Sequence, residues 1–399
     1  MKLYISKSRS VGARSVVLDD MILTADMPTA AGSRMLDNYT SLFDASVIAR
    51  LTAAGYAVCG KANVGEFGID LLGETSYHGA VTDTNGNLTL ASAEIVKSND
   101  AAVAVGLDVN GAERRAAALA GLVYVKPTYG TVSRFGTISV ASSGECIGVM
   151  ARTVADVRDA LASIVGHDTL DGTSLPEEKC AIVKSGAVKL KKAAIIKNLT
   201  ASVDAATSAK IDAASKALKA AGIAVEEIDC DVLAHAKAAW GVLMCAELCS
   251  NLSRCDGVKF GHRSERCTTI SELYTGSRTE GFGSLIKTAI LYGSEVLSKN
   301  NYTPVYDKSL RVRRAIVNTL ARLHNEYDVL IIPACSKGAY TEADVAANRY
   351  VAFDEALYTA PASISGIPTV IAGGVQLVGA PFTENTLFEA ARIIAKEGK

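Results

Sequence analysis

The 399-residue sequence has no uninterrupted apolar run of the roughly 18 residues needed to cross a membrane as a helix, so no membrane role is expected. It has no excess of charge of one sign either: 41 Lys and Arg stand against 42 Asp and Glu, a net charge of -1. Phosphate backbones are held by clustered positive charge, so no strong direct nucleic-acid binding is expected. No Pro/Gly/Ser-rich linker or charge run marks a boundary, which predicts one domain over 1–399, with residues 200–300 as a lobe inserted within it. The opening MKLYISKSRSVGARS has a short apolar start followed by polar residues, so no signal peptide is expected. The nine cysteines are odd in number and scattered, which suits reduced thiols in the cytoplasm. Cys245, Cys249, Cys255 and Cys267 do not follow a recurrent zinc spacing, and no metal or other cofactor is expected. None of the five histidines sits in a Ser/His/Asp arrangement.

What is present is material for a sizeable core, with 49% hydrophobic residues and 33 glycines. Residues 15–24 read as a strand. A helix is expected from Asp44, its N-cap, to Ala54, with Gly55 closing it. Val154, Val157, Ala160, Leu161 and Ile164 fall on one face of a helix. Strands at 193–199 and over IAVEEIDC flank a helix from Val203 to Ala221; a basic helix from Val305 to Glu326 precedes the buried strand YDVLIIPAC. This alternation predicts an α/β fold with crossover helices.

The stretch Ala93 to Gly136 carries the sharpest signal. Its VKPTYGTVSRFG, together with GKANVGEFG, SNLSRCDGVKFG, SRTEGFG and the C-terminal GVQLVGAPFTE, resembles the amidase-signature family, most closely the A subunits of tRNA-dependent amidotransferases. The resemblance runs from about Val16 to Ala395, without the family's N-terminal helical segment. It implies the amidase-signature fold: a central, mixed, twisted sheet with helices on both faces. It also implies a Ser-Ser-Lys machinery, in which an amine acting through a bridging hydroxyl deprotonates the attacking serine.

At each position of that machinery this chain departs from the family. Gapless counting sets Asp19 on the lysine, Lys97 on the bridging serine and Ala112 on the nucleophile. Asn110 takes the place of an oxyanion-hole glycine between Val109 and Gly111, where backbone N–H groups must come close to substrate. Thr288 and Ala289 occupy the places matching a substrate-gripping arginine, and Ala356 that of an aspartate. Ala93 to Asn99 is expected as the counterpart of the serine-rich loop, and the strand between Val105 and Asn110 is expected to be shortened.

Three readings follow. The first is a catalytically silent homologue of the family's A-type protein, a scaffold or non-glutaminase member of an amidotransferase-like complex, with B- and C-type subunits or a second copy of itself as partners. The second is an enzyme with a rebuilt site drawn from Asp19, Lys97, Asp108, Glu113, Arg114 and Arg115, clustered ionisable groups being able to acquire shifted pKa values. Its plainer counterpart is that Asp19 and Lys97 simply pair, since a buried lysine without a partner is costly. The third is a small-anion site on Lys97, Arg114 and Arg115.

Overall fold

A computed structural model describes residues 2–8, 14–37, 39–265 and 267–397. Among them, eleven strands form one sheet: β1 (Tyr4–Lys7), β2 (Ser15–Asp19), β3 (Ala57–Ala62), β4 (Val103–Asp108), β5 (Val123–Lys126), β6 (Cys146–Ala151), β7 (Lys192–Ile196), β8 (Ala224–Ile228), β9 (Val329–Pro333), β10 (Thr369–Ala372) and β11 (Val375–Val378). Their spatial order is β1-β3-β2-β4-β6-β5-β10-β11-β9-β7-β8. Neighbours β3, β2 and β4 run parallel, as do β9, β7 and β8, while the middle of the sheet is antiparallel. The sheet is therefore mixed, as expected. Strands β4, β5, β6, β9, β10 and β11 are buried along their whole length, which explains their near-continuous apolar sequences.

Several local expectations are met. Val154, Val157, Ala160, Leu161 and Ile164 are all buried on the Val154–Ile164 helix, whose N-cap Thr153 accepts from the Asp156 amide. The Ala205–Ala220 helix has Asp204 as a bonded N-cap. Others need correction. The strand expected over 15–24 ends at Asp19, whose carboxylate accepts from the Met21 amide at 3.0 Å and bends the chain. The first helix runs Ser46–Ala53 from Ala45, not Asp44; the Asp44 carboxylate instead accepts from the Ala25 amide at 2.8 Å. Residues 205–228, placed in the inserted lobe by the sequence, form a crossover helix and β8, which extends the sheet beside β7.

Two corrections bear on the site. Ala91–Lys97 is a helix, so most of the stretch matched to the serine-rich loop is not a loop. ASAEIVK contains no glycine and mostly good helix formers, and it stops where Asn99 turns to a φ of 68°. Where the sequence reading expects missing residues, β4 nevertheless pairs with β6 through six consecutive residues.

Beside the sheet, the Ala236–Asn251 helix packs against the Ser284–Val296, Lys308–Glu326 and Ala356–Ser365 helices. The segment Asp231–Arg254 reaches a mean hydropathy of 1.3 over 18 residues. That hydropathy is used inside the protein: Trp240, Leu243, Met244 and Leu248 are all buried in the core.

Candidate active site and an adjoining cavity

The sequence Val109-Asn110-Gly111-Ala112 links the end of β4 to the Ala112–Ala120 helix. Gly111 makes the turn with a φ of 100°, in the left-handed region, and a Cβ there would lie 2.4 Å from the Thr359 side chain. Residues of this turn border two different cavities, Asn110 the larger and Val109 and Ala112 the smaller.

The smaller cavity, of about 20 Å³, is bounded by Asp19, Gly65, Asp70, Leu90, Val109, Ala112 and Glu113 among others. That is room for roughly one water molecule. Asp19 accepts from the amides of Met21 at 3.0 Å and Leu107 at 2.5 Å. Burial raises its pKa to about 6 against the pull of those two bonds. Glu113 accepts from the Ser92 hydroxyl at 2.8 and 3.0 Å, and burial, reinforced by the charge of Asp19, pushes it up to about 8. At neutral pH Glu113 is thus mostly protonated beside a mostly ionised Asp19. Leu90 contributes only hydrocarbon to this wall, and Ala112 only a methyl group.

The other residues expected here are elsewhere. Lys97 is exposed at the end of its helix, beside a surface groove with Asp83, Glu94 and Lys210, so its expected pairing with Asp19 is not formed. The register behind that expectation fails because Ala91–Lys97 folds as a helix and carries Lys97 to the surface. Arg114 and Asp108 form a fully buried ion pair, Nε to Oδ2 at 2.7 Å and Nη2 to Oδ1 at 3.0 Å. Arg114 also donates to the Thr359 carbonyl, Gln376 and Ser363, so it ties the Ala112–Ala120 helix to the Ala356–Ser365 helix and β11. Arg115 is held by buried Glu355 at 3.2 Å. The small-anion site expected on Lys97, Arg114 and Arg115 therefore does not assemble: one is on the surface and the other two already have carboxylate partners.

A buried lysine does sit near Asp19, but it is Lys61 of β3. Its ammonium donates to Thr29 Oγ1, and burial lowers its pKa to about 8 while Asp20 and Asp19 oppose the shift. Asp20, raised to about 7 by burial, accepts from the amides of Ala30 at 3.0 Å and Gly32 at 3.4 Å. A lysine inside the otherwise apolar strand AVCGKA was the sequence signal for this group.

The larger cavity, of about 340 Å³, brings together Asn110, Thr288, Ala289 and Ala356, four of the positions matched to substrate binding. Thr288 donates its hydroxyl to the Ser284 carbonyl at 2.9 Å. Trp240, unmarked by the sequence, forms part of the wall, and its indole N–H donates to Asn110 Oδ1 at 3.1 Å. Gly144 is required behind it, since a Cβ there would lie 2.3 Å from the indole ring. Asn110 is further fixed by donation to the Ile69 carbonyl at 3.0 Å. Asp354 and Glu355, near the expected aspartate, are both engaged: Asp354 with Lys237 at 2.9 Å, Glu355 with Arg115. His262 lies apart, paired with Glu280 at 2.7 Å, which also accepts from Ser264.

Comparisons with known proteins agree with this architecture. Residues 15–388 match the Amidase family. The chain is 33% identical over 393 residues to the A subunit of the glutamyl-tRNA(Gln) amidotransferase of Latilactobacillus sakei, covering 94% of this chain and 80% of that protein. It is 35% identical over 390 residues to the corresponding protein of Pseudomonas entomophila, covering 93% and 81%. The crystal structure of the A subunit of the glutamyl-tRNA(Gln) amidotransferase of Thermotoga maritima superposes with a TM-score of 0.81 at 26% identity, covering 100% of this chain and 88% of that one. With the family match spanning most of the sequence and the same fold underneath it, this chain belongs to the amidase family.

Proposed function

We propose that this protein is a catalytically silent homologue of the A-type amidotransferase proteins. It acts as a scaffold or non-glutaminase member of a cytoplasmic amidotransferase-like complex, and any amidation of Glu-tRNA(Gln) in that complex draws on free ammonia. The observation that carries the reading is the content of the small cavity. The position matched to the nucleophile is the methyl of Ala112, and the position matched to the lysine is an Asp19 carboxylate held by two backbone amides. Among the described residues no hydroxyl lines the space, which holds about one water. Ser92, the nearest buried serine in sequence, spends its hydroxyl on Glu113 and does not border the cavity. The relatives named above are A subunits of glutamyl-tRNA(Gln) amidotransferases, and the retained SNLSR, DGVKFG and EGFG segments support carrying over B- and C-type partners.

The test is release of glutamate and ammonia from glutamine by the purified protein, alone and co-expressed with B- and C-type subunits, with size-exclusion chromatography on the same samples. The expected outcome is a stable complex without glutamine turnover that amidates charged tRNA only when ammonium is supplied. Turnover abolished by Asp19→Ala or Ser92→Ala overturns the silent reading; absence of any complex overturns the scaffold role.

A further inference from the structure

The larger cavity is a built space with a chemistry of its own, whether or not the small one is silent. Its volume of about 340 Å³ falls within the roughly 300–1,000 Å³ of small-molecule sites. Trp240, Val242, Met244, Ala289, Tyr292 and Phe353 give it a largely apolar and aromatic wall. The few polar groups along it are mostly committed. Trp240 N–H and the Asn110 side chain bond one another, and Asn110 also holds the Ile69 carbonyl. The Thr288 proton goes to Ser284, and the one charged residue among the described lining, Lys237, is paired with Asp354 outside it.

An amino acid placed here would bring a carboxylate and an ammonium with no free partner of opposite charge, and stripping water from such groups without replacing their bonds is strongly unfavourable. A flat, uncharged ring system meets the opposite conditions. The indole, phenyl and phenol groups offer edges and faces, and Met244 supplies an adaptable thioether. Tyr292 and Tyr350 stand 45% and 70% exposed at the rim, so an occupant would also cover aromatic surface now open to water.

We infer that the cavity between the Ala236–Asn251, Ser284–Val296 and Ala356–Ser365 helices binds a neutral aromatic small molecule, and that it has exchanged recognition of a charged amino acid for recognition of an apolar ring.

The molecule carries its own reporter, because Trp240 is the single tryptophan of the chain. The experiment titrates the full-length protein with 4-phenylphenol, biphenyl-4-carboxylate and glutamine, read by Trp240 fluorescence and by calorimetry. The expected order is saturable binding of 4-phenylphenol, at least about tenfold weaker binding of the carboxylate, and none of glutamine. Two variants locate the site. Gly241→Leu intrudes on the cavity: a Cβ at Gly241, which borders it, meets nothing within 4 Å, and the position is inside a helix, where leucine is favoured over glycine. It should abolish 4-phenylphenol binding with no loss of Tm. Thr288→Lys, at an exposed wall position, should bring biphenyl-4-carboxylate to within about threefold of 4-phenylphenol by supplying the missing cation. The inference is overturned if 4-phenylphenol does not bind, if the carboxylate or glutamine binds as tightly to the unaltered protein, or if Gly241→Leu leaves binding unchanged.

Discussion

Two cavities share the turn at Val109–Ala112, and they divide between them what an amide-hydrolysing site needs in one place. The one bounded by Asp19 and Glu113 has ionisable groups but room for about one water. The one beside Trp240 has about 340 Å³ but, among the described residues, one charged group at its wall, already paired. Acid–base or nucleophilic catalysis requires a titrating group within bonding reach of a bound substrate. Charge without space and space without charge adjoin at the Val109–Ala112 turn, where the Asn110 side chain is fixed by accepting from Trp240 and donating to the Ile69 carbonyl. Clustered ionisable residues are therefore poor evidence of chemistry until the volume beside them is known.

The most damaging way to break this division is to remove what keeps the turn in place. Arg114 is wholly buried, and Asp108 is its carboxylate partner. Asp108→Ala is expected to cost about 3–5 kcal/mol in chemical denaturation, the range for leaving one member of a buried pair uncompensated. Asp108→Asn, which keeps one acceptor for the guanidinium, should lose less. If Asp108→Ala unfolds at the same denaturant concentration as the parent, the ion pair does not anchor the wall between the cavities.

A comparably sharp test separates the reacting position from its surroundings. Ala112→Ser restores a hydroxyl where the family resemblance places the nucleophile, but Asp19 still supplies no amine, and no other hydroxyl lines the space among the described residues. No glutamine turnover is expected from this single change, measured as ammonia release. Turnover in Ala112→Ser would mean that the small cavity opens far enough to admit an amide, and the contrast between the two spaces would fail.

The sequence made the fold legible because both of its signals point the same way. Apolar strand runs and amphipathic helices alternate along the chain, and the family segments anchor their order. At the site the outcome was mixed, for a physical reason. Asn110, Thr288, Ala289 and Ala356, far apart in sequence, do line one cavity. Lys97 was misplaced because gapless counting cannot say which residues turn into helix; ASAEIVK does, and the last of them faces water. Lys61 was passed over although a lysine in the apolar strand AVCGKA marked it, and Trp240 looks like ordinary core sequence until Asn110 gives its indole N–H a partner.

The charged cavity should also declare itself in the pH dependence of stability. Asp19 and Glu113 have folded pKa values raised to about 6 and about 8, so the fold retains protons that the unfolded chain releases above the ordinary carboxyl range. Stability contributed by their neutral forms is present at low pH and lost as pH rises through those values, at up to about 1.4 kcal/mol per pH unit for each group. Glu113→Gln keeps a neutral partner for Ser92 and removes the ionisation. It should be as stable as the parent near pH 4, more stable near pH 8, and have a visibly flatter profile between. A parallel profile for the two proteins would mean that Glu113 is solvated rather than enclosed, and the cavity is then larger than one water.

The smallest effect is expected at the residue that looked most suggestive in the sequence. Lys97 is exposed, and no ion pair to Asp19 forms. Lys97→Ala should change stability by no more than about 0.5 kcal/mol, as for surface positions free of special contacts, and leave the pH profile of the parent and its Glu113→Gln difference intact. The second half of that statement is the more informative. A lysine ammonium near Asp19 would hold the aspartate ionised and lower its pKa, so removing it would steepen the loss of stability with rising pH. Unaltered slopes in Lys97→Ala therefore assign the electrostatics of the small cavity to burial and to Lys61, whereas a steeper slope would bring Lys97 back into the site.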